Sequence, residues 1–99
     1  MAERWSYILD YKVKKKNKDY WVYILKCADG SLYTGITVDV DRRVKEHNLG
    51  VGAKYTKARR PVRLVYSTLV GNRSVATKRE MEIKKLSHDE KKRLAGLVS

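Results

Sequence analysis

The order of apolar and polar positions predicts a chain of short elements beginning near Tyr20. Trp21-Val22-Tyr23-Ile24-Leu25 is an unbroken run of aromatic, β-branched and aliphatic residues, the pattern of a strand buried on both faces. Ala28-Asp29-Gly30 is a turn signal, and Leu32 to Thr37 reads as the returning strand of a hairpin. Asp39 or Asp41 is placed to cap a following helix, and Gly50 to end it. Gly50 to Pro61 reads as a basic loop, and Val62 to Leu69 alternates as a third strand until Gly71-Asn72 breaks it. Ser74 is then the expected cap of a second helix running to about Leu86. Ser87-His88-Asp89-Glu90 has the Ser-x-x-Glu form of a capping box, opening a short last helix through Leu94 and Leu97. The order β-β-α-β-α-α predicts an α+β domain over residues 20–99. Residues 1–19, with Trp5, Tyr7 and Tyr11 ahead of a lysine run, read as an appended extension with no assigned function.

Several polar residues fall on faces that the pattern reserves for apolar ones. At about 100° per residue, Val40, Arg43, Val44 and His47 share one side of the first helix, while Arg42 and Lys45 point away. In the second helix Ala76, Glu80 and Ile83 form a stripe, with Glu82 roughly opposite. A carboxylate on a packing face needs a cation or a metal. Glu80 is thus either half of a structural ion pair with Arg43 or a functional acid, and His47 is either a hydrogen-bonded packing residue or part of a site. The hairpin adds a geometric test, because strand side chains alternate. A two-residue turn sets Tyr23 and Tyr33 on opposite faces. A three-residue turn of Ala28, Asp29 and Gly30, with Gly30 at positive φ, sets Tyr23 across from Gly35 and Tyr33 across from Leu25, with both phenols on one face.

Charge narrows the function classes. The 99 residues carry 23 Lys+Arg against 11 Asp+Glu, a formal charge of +12, which argues against an acidic buffer and for a polyanionic partner, nucleic acid first. Lys54, Lys57, Arg59, Arg60 and Arg63 form a run without an acid, and Tyr55 among them is an aromatic ring beside phosphate-binding cations. Cys27 is the single cysteine, so no intrachain disulfide or thiolate-rich metal site is available, and it reads as a packing residue. The longest apolar run is far too short to span a membrane, and the first residues lack the features of a secretory signal, so a cytoplasmic protein is expected.

From Tyr20 to about Leu86 the chain resembles the GIY-YIG nuclease superfamily. Trp21-Val22-Tyr23 occupies the first motif, with tryptophan replacing its glycine, and Tyr33-Thr34-Gly35 the second. Arg43 in Arg-x-x-x-His47 and Glu80 in Ala76-x-x-x-Glu80 follow in the family order. Asp29 to Gly35 and Gly50 to Lys54 look most like segments of the small, single-domain, largely uncharacterised bacterial members. The resemblance implies a three-stranded antiparallel sheet flanked by helices, and metal-dependent hydrolysis of DNA phosphodiester bonds, structure-specific in repair or recombination. It implies Glu80 as the ligand of one Mg²⁺ or Mn²⁺ and Tyr23 as the acceptor of the attacking water's proton. Arg43 would hold the phosphate, and Tyr33 and His47 would hydrogen-bond the phosphate or water, or relay a proton. The basic loop residues Lys54, Tyr55, Lys57, Arg59 and Arg60 would bind nucleic acid. Well-studied relatives attach a separate DNA-binding domain, so targeting here is expected from the basic surface or another protein. Many relatives also supply a late asparagine, whereas none follows Asn72 here, and some carry a lysine where this chain has Ile36. The competing expectation is a non-catalytic module that keeps the fold and binds DNA or structured RNA.

Overall fold

In the computed structural model, which describes residues 19–97, the elements are β1 (Tyr20–Lys26), β2 (Leu32–Thr37), α1 (Val40–Leu49), α2 (Lys54–Lys57), β3 (Arg63–Gly71), α3 (Arg73–Lys84) and α4 (His88–Leu94). The extension expected at 1–19 lies, apart from Asp19, outside the described residues. The strands form a sheet ordered β2-β1-β3, with the most apolar strand in the centre and antiparallel to both neighbours. Val22 to Leu25 are buried, as a strand covered on both faces requires.

The hairpin takes the three-residue turn. Cys27 N–H donates to Ser31 O and Gly30 N–H to Cys27 O, both at 2.9 Å, and Gly30 sits at φ +86°, a conformation in which a side chain would be strained. Tyr23 therefore pairs with Gly35 and Leu25 with Tyr33. Odd positions of β1 and β2 turn their side chains to one face and even positions to the other.

The even-numbered face carries the larger core. Val22, Ile24 and Leu32 pack with Ala76 and Ile83 of α3, joined at the margin by Ile36, Val65, Leu86, Leu94 and Leu97. On the odd-numbered face Tyr23, Leu25, Cys27 and Val62 pack with Tyr33 and with Val44 of α1. Cys27 is buried there as a packing thiol.

Several local expectations need correction. Asn72, not Ser74, caps α3, its side-chain oxygen accepting from Val75 N–H at 3.0 Å, so the helix starts earlier. β3 runs on past Leu69 because Tyr20 pairs with Gly71. The basic loop contains a one-turn helix, α2, whose Thr56 is fully buried. β3 also begins at Arg63 rather than Val62, α3 stops at Lys84 short of Leu86, and α4 stops at Leu94 short of Leu97, whereas Asp39 caps α1, Gly50 ends it in the left-handed region, and Ser87 and Glu90 form the capping box of α4 as expected. Among the described residues no helix is long and apolar enough to cross a membrane.

Candidate active site

The odd-numbered face brings together four residues far apart in the chain. The Tyr23 hydroxyl lies 2.8 Å from His47 Nε2, and His47 Nδ1 lies 2.7 Å from Thr56 Oγ1. Tyr33 closes the group, its ring centroid 6.5 Å from that of Tyr23 and 5.2 Å from that of His47. β1 supplies Tyr23, β2 Tyr33, α1 His47 and α2 Thr56. Two glycines make the fit possible. A Cβ on Gly35 would sit 2.5 Å from the Tyr23 hydroxyl oxygen, and one on Gly52 would sit 2.7 Å from His47 Cγ, both far inside van der Waals contact. The Tyr23 phenol lies where a side chain on Gly35 would be.

The direction of each hydrogen bond follows from counting protons. Thr56 has one hydroxyl hydrogen and donates it to Ala53 O at 3.0 Å, so toward His47 it accepts. The tautomer that suits this contact carries the proton on Nδ1 and leaves Nε2 to accept from Tyr23. Burial, with Arg43 adding repulsion, holds the imidazole below its usual range, which favours this neutral form. Burial also dominates Tyr23, raising it to about 12, with Arg43 opposing and the charges of Tyr33 and Glu80 reinforcing the rise. Positive charge near Arg43 therefore does not by itself make Tyr23 a phenolate. At neutral pH it is a phenol donating to an imidazole.

Arg43 turns toward this cluster, as the helical spacing predicts, with its side chain 30% exposed against 59% for Arg42. Its Nη1 donates to Glu46 Oε1 at 2.9 Å and its Nη2 to Gly52 O at 3.5 Å. The Glu80–Arg43 ion pair anticipated as a structural alternative is not formed. Glu80 instead meets Lys84 Nζ at 3.3 Å, one turn along α3, with 19% of its side chain exposed. It belongs to the helix on the opposite sheet face, and it joins the cluster only through the charge felt at Tyr23. His47 is fully buried with both nitrogens engaged, so in this arrangement it does not reach a phosphate or water directly.

The basic segment is more ordered than a loop of solvated charges. Lys54 and Lys57 are exposed on α2. Arg59 is clamped by Asp29 and by Tyr55 O, while Arg60 donates from Nε to Lys57 O at 2.9 Å. Tyr55 stacks on Tyr33 with centroids 5.9 Å apart. Asn48, at the end of α1, exchanges two hydrogen bonds with the Val62 backbone, at 2.9 and 2.7 Å, anchoring the far end of the segment. Sequence reasoning missed Asn48, Gly52 and Thr56. Only Gly52, in the Gly-x-Gly that follows the histidine helix, leaves a visible signal.

Comparison with known proteins gives the family. A family model described as the GIY-YIG catalytic domain matches residues 19–93. A UPF0213 protein of Staphylococcus aureus is 57% identical over 75 residues, covering 76% of this chain and 92% of that one. Among solved structures, the solution NMR structure of a UPF0213 protein from Bacillus halodurans is similar with a TM-score of 0.51 and 49% identity, covering 80% of this chain and 84% of that one. Another, from E. faecalis, has a TM-score of 0.54 and 42% identity, covering 77% and 81%. With its sheet order, its paired tyrosines and its place among these small bacterial relatives, the chain belongs to the GIY-YIG nuclease superfamily.

Proposed function

We propose that the domain of residues 20–99 is a metal-dependent endonuclease that hydrolyses DNA phosphodiester bonds, acting on branched or damaged structures. The observation that carries this reading is the buried Tyr23–His47–Thr56 chain, a phenol already donating to a neutral imidazole beside a partly exposed guanidinium.

Arg43 is the cation placed to receive the scissile phosphate. Its present acceptors, Glu46 and Gly52 O, are ones a phosphate displaces with a stronger charge-assisted pair. Tyr23 is 1% exposed and within hydrogen-bond reach of the Arg43 side chain, so the attacking water is admitted to its hydroxyl as Arg43 turns to the phosphate. Tyr23 takes the water's proton as it passes its own to His47 Nε2, so a phenolate with a pKa of about 12 never has to form. Thr56 keeps Nε2 the accepting nitrogen throughout. Tyr33, less buried than Tyr23, hydrogen-bonds the phosphate.

Glu80 suits a divalent ion of a particular kind. Its carboxylate is partly exposed and pairs with Lys84, and among the described residues no group of three or more His, Cys, Asp or Glu forms a cage. A hard cation such as Mg²⁺ or Mn²⁺ accepts one carboxylate and completes its shell with water and phosphate oxygens. When bound, it supplies polarisation of the phosphate and stabilisation of the leaving oxygen. Lys54 and Lys57 add backbone contacts, and affinity is expected to fall steeply with salt.

Incubation of the purified protein with supercoiled plasmid and Mg²⁺ or Mn²⁺ tests the reading. Nicking that EDTA and Glu80→Ala both abolish, with DNA binding retained, supports it. Nicking that survives Glu80→Ala contradicts the metal role. The burial of Tyr23 and His47 favours one alternative, a binding module without turnover, which predicts DNA binding and no nicking under any metal.

A further inference from the structure

A tier of flat side chains leads outward from the proposed centre. Tyr55 lies nearly parallel to Tyr33, at 24°, and the Arg59 guanidinium lies over the Tyr55 ring with Cζ 3.8 Å from its centroid. Arg59 is held in that plane from two sides. Its Nε donates to Asp29 Oδ2 at 3.0 Å and its Nη1 to Tyr55 O at 2.9 Å. The clamp is itself fixed, because Asp29 Oδ1 accepts from Ser31 N–H at 3.0 Å and from Ser31 Oγ at 2.6 Å, and Ala28 N–H donates to Arg59 O at 2.9 Å. The hairpin turn and the end of the basic segment thus form one unit.

This arrangement suits a phosphate poorly. A phosphate-binding arginine offers an unpaired charge and open N–H groups, whereas here a carboxylate already offsets the charge and two edges are spent. An ion pair at this exposure also adds little stability, so its consequence is orientation. One face lies on Tyr55, Nε and Nη1 are engaged, and 35% of the side chain remains exposed to receive a ligand. A rigid guanidinium plane of that kind matches a nucleobase. Bases inside a duplex are covered on both faces by their neighbours. Only an unpaired, flapped or frayed base has a face to give.

We propose that the Arg59 guanidinium, backed by Tyr55 and oriented by Asp29, is a stacking platform for an unpaired nucleobase. The substrate is then nucleic acid with an extruded or single-stranded nucleotide a few positions from the bond cut, and exposed Lys54 and Lys57 hold its backbone. The inference rests on the nuclease reading for what the platform serves, but its test requires no cleavage.

The test uses two DNA hairpins in EDTA, one with a bulged 2-aminopurine and one with the same base paired, titrated with the whole chain. The wild type is expected to bind the bulged hairpin roughly five- to a hundredfold more tightly, the span of base stacking on a planar side chain, and to quench its fluorescence. Arg59→Lys, which keeps the charge and loses the plane, is expected to lose preference and quenching as fully as Arg59→Ala. Equal wild-type affinity for the two hairpins overturns the platform, as does a full preference in Arg59→Lys. A wild type that shows no preference yet nicks plasmid sinks the platform alone. A retained preference without nicking sinks the cleavage reading and leaves the platform on a binding module. No binding to either hairpin sinks both.

Discussion

The two faces of the one sheet are built from alternate residues of the same strands, yet they do different work. On the α3 side Val22 and Ile24 meet Ala76 and Ile83, a contact whose only chemistry is removal of apolar surface from water. On the α1 side Tyr23 and Tyr33 meet His47 and Thr56, and the burial of Tyr23, His47 and Thr56 bears on where protons sit. The difference shows how a small domain within a chain of 99 residues accommodates a site. One face supplies the cohesion, and the other is left to spend its packing on orientation.

The sharpest way to break the contrast is to add one methyl group. Gly35→Ala puts a Cβ where the Tyr23 phenol lies, and cleavage is expected to fall by roughly 10²–10⁴, the worth of a positioned acid–base group. Ile83→Ala, a larger change on the other face, is expected to cost about 2–5 kcal/mol of stability while turnover per folded molecule stays unchanged. Thermal melts and plasmid nicking on both variants check the pair, and a loss of turnover in Ile83→Ala would blur the division.

Arg43→Ala follows in size, with a fall of roughly 10²–10³ if it stabilises charge on the phosphate. Arg42→Ala, turned to solvent, is expected to change the rate little. Single-turnover rates compare the two.

The polar face also predicts a pH window. His47 sits below its usual value when folded, so the unfolded chain binds the extra proton first, and stability is lost as pH falls below about 6.5. Tyr23 sits above its usual value, so its contribution is complete below pH 10 and is lost as pH rises toward about 12. Denaturant titrations at several pH values should show both arms, and His47→Gln should flatten the acid one. The smallest effect belongs to the cap of α4. Ser87→Ala is expected to cost about 1 kcal/mol with nicking unchanged.

What could be read from the sequence was what depends on periodicity and short-range turn chemistry. The spacing narrowed the hairpin to two turns with opposite consequences for Tyr23 and Tyr33, of which the structure has the three-residue one, and helical spacing separates Arg43 from Arg42 and Glu80 from Glu82. What depends on contacts across the fold could not be read. Thr56 is a β-branched residue in a basic stretch with no signal of a helical turn, and its importance arises only once His47 lies over it. Arg59 and Arg60 look like phosphate ligands by composition, but Asp29 reaches Arg59 from 30 residues away. Asn72 and Ser74 both suit a helix cap, and only the path of β3 through Gly71 selects between them.

The account turns on a single oxygen atom, which Tyr23→Phe removes while leaving the ring to pack. Single-turnover cleavage of a labelled DNA substrate by that variant, alongside its binding affinity, is the most direct measurement. Cleavage reduced by roughly 10²–10⁴ with affinity kept within about threefold is the predicted result. Cleavage at the wild-type rate would contradict the proton path from water through Tyr23 to His47.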